Sequence, residues 1–342
     1  MEHGSKEYLK RLPKAELHLH LEGSISAELL SRLSRKYKTE YRADSPAGLA
    51  QKLFAYRGFN GFLETYKTVC EHLREPADYL LLTDHLAEYL KEQNILYAEV
   101  IFSPSIPDHF ERDGQAVLEA LLAHCRKLES ERGLRIRWIL DCVRHFGPEA
   151  ARRTAQLAVE YREQGVVGLG MGGDELSLPM SDFEKVFSWA KAHQLYIHVH
   201  AGETGGPDQV WDAVRVLGAN RIGHGIQAAR DARLMEYLRD HAVGLDVCLT
   251  SNLKTQAWAR ISTNPFGLLF KRGVPVSINT DDPGLFQTTL VEELSKAVSL
   301  FSLSREDLHR LILQGLRSAF LPNRERMALM RQFTDQIHHI SS

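Results

Sequence analysis

The scarcities of this chain narrow it first. No apolar run approaches the roughly 20 residues of a membrane span, and the opening MEHGSKEYLKRLPK lacks the apolar stretch of a secretory signal. Four cysteines, Cys70, Cys125, Cys142 and Cys248, include no C-x-x-C pair, and a chain of this size needs no disulfide staples. A reducing cytoplasm is therefore the expected location. There is no surplus of charge either: 42 basic side chains face 44 acidic ones, a net −2, so neither nucleic acid nor a membrane surface is an expected partner. Low-complexity tracts, repeats and Gly/Ser/Pro-rich linkers are missing as well, so residues 1–342 are read as one domain with room for a sizeable core.

What is present is a rhythm. Eight short apolar or β-branched runs stand at 16–22, 95–102, 135–143, 166–173, 195–202, 221–225, 243–250 and 274–282. Between them lie helical patterns: Ala151, Ala155 and Ala158 repeat up to Gly165, Ser181 and Glu184 suggest a capping box, and Val210, Val214 and Leu217 precede Gly218 at a C-cap. Eight strands alternating with helices predict a (β/α)8 TIM barrel. An open doubly wound sheet is the alternative, but no Gly-rich phosphate turn follows the first strand. Extra helices, including 59–73 and 78–93, are inserted after strand 1, where they are expected to wall or cover a pocket, and further helices close the C-terminus beyond Pro283.

The unusual polar residues gather at strand ends. In AELHLHLEG, His18 and His20 are two apart and so share one face, together with Glu16 and Glu22, while Leu17, Leu19 and Leu21 take the other. Burying two imidazoles and two carboxylates is costly unless something pairs with them, and a metal ion would. His198 and His200 lie in the fifth run, His224 in the sixth, and Asp281 with Asp282 at the end of the eighth. In a barrel these ends converge on one pocket, and three imidazoles with one carboxylate make a shell for a catalytic zinc. His198 is expected to pack beside the site rather than bind metal, Cys142 and Cys248 to be buried small side chains, and Asp141 and Asp246 to pair with a nearby base. Glu203, in HAGE, is a helix-start acid or a proton shuttle.

The segments LPKAELHLHLEG, HAGETGGP, RIGHG and SINTDDPG, in this order from about Leu12 to Gly284, resemble the signature blocks of the adenosine deaminase family, zinc aminohydrolases on a (β/α)8 barrel. The resemblance implies that His18, His20, His200 and Asp281 hold one Zn2+ per chain. It further implies that Glu203 protonates purine N1 and that His224 orients or deprotonates the attacking water without binding the metal. The implied substrate-facing set is His20, Glu22, Gly173 and Asp282, with Asp282 at purine N7 and the Gly173 backbone, in VVGLGMGGDE, at N3. The implied reaction is hydrolytic deamination of a 6-aminopurine to the 6-oxopurine and ammonia. Its partner is then a small molecule, and a homo-oligomer stays open.

Departures from the family pattern bear on the substrate. Typical adenosine deaminases read H-x-H-L-D-G where this chain reads HLHLEG, so Glu22, at the position that reaches the 5′ end of the sugar, is one methylene longer. Adenosine and 6-amino-6-deoxyfutalosine, a menaquinone precursor with an enlarged 5′ substituent, are weighed evenly. Free adenine comes third, because adenine deaminases tend to carry RIDHG in place of RIGHG. Two other classes are considered. A non-purine amidohydrolase with a binuclear site would usually need a lysine in a middle strand, and VVGLGMGG has none. A silent binding barrel should have lost ligands or the proton shuttle, yet His18, His20, His200, Glu203, His224, Asp281 and Asp282 are all present.

Overall fold

Every one of the eight runs becomes a strand in the computed structural model, which describes residues 3–341. They are β1 (Lys14–His20), β2 (Ile95–Phe102), β3 (Arg135–Val143), β4 (Val166–Gly172), β5 (Tyr196–Ala201), β6 (Arg221–His224), β7 (Gly244–Val247) and β8 (Val276–Ile278). Each pairs in parallel with the next, in sequence order. The circle closes through a bridge between Leu19 and Asp281, where His20 N–H donates to Asp281 O at 2.9 Å and Asp281 N–H to His18 O at 3.0 Å. The architecture is the expected (β/α)8 barrel. Among the described residues no helix is long and apolar enough to cross a membrane, and all four cysteines are free and buried.

Several boundaries differ from the sequence reading. β7 and β8 are shorter than their apolar runs, because the chain turns into the helix Leu249–Lys254 after Val247, and Asp281 adopts φ +66°, which no strand accommodates. The capping box at Ser181 and Glu184 does not form. A 3-10 turn, Met180–Phe183, buries Met180 and Phe183 there, and the helix Glu184–Ala192 starts without a side-chain cap. The helix Gly147–Glu160 buries Ala151, Ala155 and Ala158, as their spacing predicts.

The lower part of the barrel interior holds ions where apolar layers are usual. Arg221, at the start of β6, is fully buried and donates to Glu99 and Asp246 at 2.6 Å each, and to the carbonyls of Leu17 and Ser318 at 2.9 Å. Burial pushes the Glu99 carboxyl up, with Arg221 opposing; at Asp246 the pull of Arg221 and His198 overcomes burial and holds the carboxyl well below the usual range. Asp246 thus finds the base expected for it, and His198 reaches the same carboxylate at 3.1 Å. The segment after the helix Arg305–Arg317 plugs this end: Phe320 lies under the guanidinium at 4.0 Å, stacks on Tyr196, and donates its N–H to Glu99. Replacing Arg221 would strand two buried carboxylates, so Arg221→Met is expected to cost about 3–5 kcal/mol of stability, read from the midpoint of urea unfolding; an unchanged midpoint would show that the network carries no such weight.

Candidate metal and catalytic site

The two histidines of β1 point into the barrel, but the two glutamates do not join them. The register of β1 against β2 shifts between Glu16 and Leu19, and such an irregularity re-aims the side chains on either side of it. Glu16 accordingly turns to Thr280, accepting its N–H at 2.8 Å and its hydroxyl at 3.2 Å, and burial raises its carboxyl to about 8. Glu22 has already left the strand, which ends at His20, and sits in a 3-10 turn, Glu22–Ser24. It is fully buried, accepts the Tyr66 hydroxyl at 3.1 Å, and is raised by burial to about 7. The shared polar face expected from alternation is therefore reduced to the imidazoles. Gly23 follows from packing: a Cβ there would stand 1.7 Å from the Asp282 carboxylate.

Four ligand atoms converge where β1, β5 and β8 end. His18, His20, His200 and Asp281 each offer one nitrogen or oxygen, all within 4.8 Å of one another. Asp281 Oδ1 lies 3.2 Å from His18 Nε2 and 3.3 Å from His20 Nε2, and His20 Nε2 lies 3.2 Å from His200 Nε2. The ring of His200 is oriented from behind by Met171 O, 2.9 Å from Nδ1, which leaves Nε2 free toward the cluster. Burial pulls His20 down to about 3 and His200 well below its ordinary value, so both rings are neutral and carry lone pairs. Both nitrogens of His18 are buried; Nδ1 has no hydrogen-bond partner and Nε2 faces Asp281 Oδ1. Buried imidazole nitrogens crowded together around one carboxylate are what a site for one divalent cation requires; this donor set suits zinc, with iron, cobalt or manganese also accommodated by its chemistry.

The next residues outward bring proton chemistry. His224 also adopts a left-handed conformation, φ +61°, at the end of β6, and strained backbone of this kind gathers at functional sites. Asn252 fixes its ring through Nδ1 at 3.1 Å, so that Nε2 faces Glu203 at 3.5 Å and Asp281 at 3.8 Å. Glu203 is buried, and its carboxyl is raised chiefly by that burial, against the pull of His224. Thr255 donates to its Oε1 at 3.1 Å. Asp281 and Asp282 diverge: the histidines hold Asp281 well below the usual range in spite of burial, whereas burial and the charge of Asp281 push Asp282 well above it.

These groups form the floor of a cavity of about 400 Å³. His20, His200, Glu203, His224, Asp281, Asp282 and Gly173 all line it; His18 is sealed beneath, and Glu22 stands behind Tyr66. The inserted helix Gly58–His72 supplies one wall with Phe59, Phe62, Leu63 and Tyr66, which is the covering role expected of the β1–β2 insertion. Further lining comes from Ile106 and Phe110 after β2 and from Val143 and Phe146 where β3 ends. Asp141 corrects the sequence reading: it meets no base, its Oδ1 lacks a partner, and burial drives its carboxyl well above the usual range at the cavity wall. Thr255 and Tyr66 were not indicated by any motif, since a threonine at a helix end and a tyrosine on an amphipathic helix carry no signal in sequence. His198 is buried beside the site, as expected, and Cys142 and Cys248 are buried small side chains, Cys142 facing Ala151 O of the helix Gly147–Glu160 and Cys248 following β7.

Comparison with known proteins places this geometry. The sequence model of the family described as adenosine deaminase matches residues 13–336. The chain is 36% identical to the aminodeoxyfutalosine deaminase of Streptomyces avermitilis over 316 residues, covering 92% of this chain and 88% of that one. It is 33% identical to the adenine deaminase of Sinorhizobium fredii over 318 residues, covering 92% and 97%. Among solved structures, a zinc-bound amidohydrolase from Burkholderia ambifaria superposes with a TM-score of 0.89 at 22% identity, covering all of this chain and 94% of the other, a likeness of fold. A match along nearly the whole barrel, with relatives this close that are themselves deaminases, means that the chain belongs to the adenosine deaminase family and is a hydrolytic deaminase.

Proposed function

We propose that this protein is a zinc-dependent deaminase of a 6-aminopurine bearing a substituent on N9, with 6-amino-6-deoxyfutalosine as its substrate and adenosine as the runner-up. The observation that carries this is the cavity. Its volume of about 400 Å³ falls in the range of pockets that enclose whole drug-sized ligands, more than a free purine base fills. Phe59, Phe62, Phe110 and Phe146, which line it, suit an enlarged 5′ substituent. Glu22, longer than the usual aspartate and turned toward Tyr66, leaves the phenol to face the sugar in its place. The identity to aminodeoxyfutalosine deaminases supports the same choice. Free adenine is the second reading, favoured by relatives of that activity at nearly the same identity.

In this reading His18, His20, His200 and Asp281 hold the zinc. A zinc ion bound there supplies a Lewis acid that makes water nucleophilic near neutral pH. His224, whose Nδ1 accepts from the Asn252 amide so that its ring hydrogen lies on Nε2, orients the water that attacks C6. Attack breaks the aromaticity of the ring and drives electrons to N1. Glu203 meets that charge with its proton, which a carboxyl raised by burial still carries when an exposed one would have lost it. Asp282, protonated beside the ionised Asp281, donates to N7, an acceptor, and Gly173 N–H donates to N3. Collapse of the tetrahedral adduct at C6 passes its hydroxyl proton by way of the Glu203 carboxylate to the amino group, which leaves as ammonia, and gives the 6-oxopurine; the proton lost by the next water restores Glu203.

His18→Ala is expected to lower the zinc content of the purified protein by most of its wild-type value, measured by atomic emission, and full retention would contradict the ligand set. Glu203→Gln should keep the metal and the fold while reducing turnover by about 100-fold or more; persistence of activity would remove its assigned role. Ammonia release from 6-amino-6-deoxyfutalosine, adenosine and adenine, compared as kcat/KM on the zinc-loaded protein, decides the substrate. The largest value is expected for the first; a preference for adenine would replace this reading with the second.

A further inference from the structure

Glu203 sits on a loop, and that loop is gripped from outside. The backbone N–H groups of Gly202, Glu203, Thr204 and Gly205 all point at one carboxylate, that of Glu175, at 2.5, 3.2, 2.8 and 2.8 Å. The Thr204 hydroxyl adds a fifth bond at 3.0 Å. Glu175 is 5% exposed and comes from a different part of the barrel, the segment after β4 that also presents Gly173 to the cavity. Successive N–H groups converging on one anion form a nest, and here they would otherwise be donors without acceptors in a largely buried loop. The turn itself depends on Gly202, whose φ is +67° and whose Cβ, if present, would stand 2.5 Å from Val210.

We propose that Glu175 is a positioning residue for the deamination: its carboxylate locks residues 202–205 so that the Glu203 carboxyl is presented to the substrate at one fixed place. The inference rests on the reading of Glu203 as the proton donor. The grip is complementary to what holds the other end of the side chain, where Thr255 donates to Oε1 and His224 faces Oε2. A main chain pinned at four consecutive N–H groups and a carboxyl pinned at its tip leave Glu203 little freedom, and proton donation to a ring nitrogen is sensitive to displacements of an ångström. The charge of Glu175 has a second effect in the same direction. After burial, and with Asp281, it is among the influences that keep the Glu203 carboxyl raised. A glutamine could not replace it fully, because Oε1 accepts from Gly202 while Oε2 accepts from Glu203, Thr204 and Gly205, and an amide accepts on one side only.

The test is a double-mutant cycle on the zinc-loaded enzyme, followed by ammonia release, with Glu175→Gln, Glu203→Gln and both together. Glu175→Gln should lower kcat by about 10- to 100-fold with KM within about twofold and with zinc content unchanged. In the Glu203→Gln background the same change should cost little more, because its effect is exerted through Glu203. Amide hydrogen exchange at 202–205 should quicken in the single variant. Should Glu175→Gln not fold, Glu175→Asp, which keeps the charge and shortens the reach, is expected to lose kcat to a smaller degree. The proposal is overturned if either folded variant lowers only the melting temperature with kcat intact, if the losses in the cycle simply multiply, or if exchange at 202–205 does not change. Full activity of Glu203→Gln would overturn the proton-donor reading and, with it, the catalytic purpose of the grip, while exchange would still report the grip itself.

Discussion

The seam between the first and last strands governs the chemistry of this barrel. β1 and the segment after β8 meet in the Leu19–Asp281 bridge, in which the His20 N–H and the Asp281 N–H donate to the carbonyls of Asp281 and His18. Those two backbone bonds bring the Asp281 carboxylate to 3.2 Å from His18 Nε2 and 3.3 Å from His20 Nε2. The left-handed conformation of Asp281 turns its carboxylate to the histidines, while Asp282 packs over Gly23. Closing the circle and assembling the site are thus one structural event.

Charge is then distributed along the barrel axis in two different ways. At the lower end, Arg221 neutralises Glu99 and Asp246 with one hydrogen bond to each, and all three guanidinium nitrogens donate to acceptors. At the upper end Glu203, Asp141, Asp282 and Glu22 are buried with no arginine or lysine among their hydrogen-bond partners, and their carboxyls are all raised. One end is built for permanence. The other stores unpaired acceptors, neutral imidazoles and acids that keep their protons, a state that costs stability and that a cation and a nitrogen heterocycle relieve.

The walls follow the same division of labour. Residues at strand ends build the floor, whereas the helix Gly58–His72 and the segments after β2 and β3 build the aromatic sides. The floor is titratable and the walls are largely apolar.

Sequence alone determined the eight strands, their order and the convergence of His18, His20, His200, Glu203, His224, Asp281 and Asp282, because these depend on local periodicity and on a topology that sends all strand ends to one face. It also determined, through spacing, that His198 would lie beside the cluster. Only the tertiary structure decided the rest. The turn of Glu16 away from the histidines arises from a register irregularity between β1 and β2, and alternation within one strand cannot reveal a shift that its neighbour imposes. That Asp141 meets Ser103 and the Gly172 backbone, and among the described residues no base, depends on what the fold brings across space. Glu175 and Thr255 hold Glu203 from 28 and 52 residues away in the chain. Contacts of that kind have no period and no motif; they exist once the barrel has closed and placed distant backbone N–H groups and carboxylates side by side.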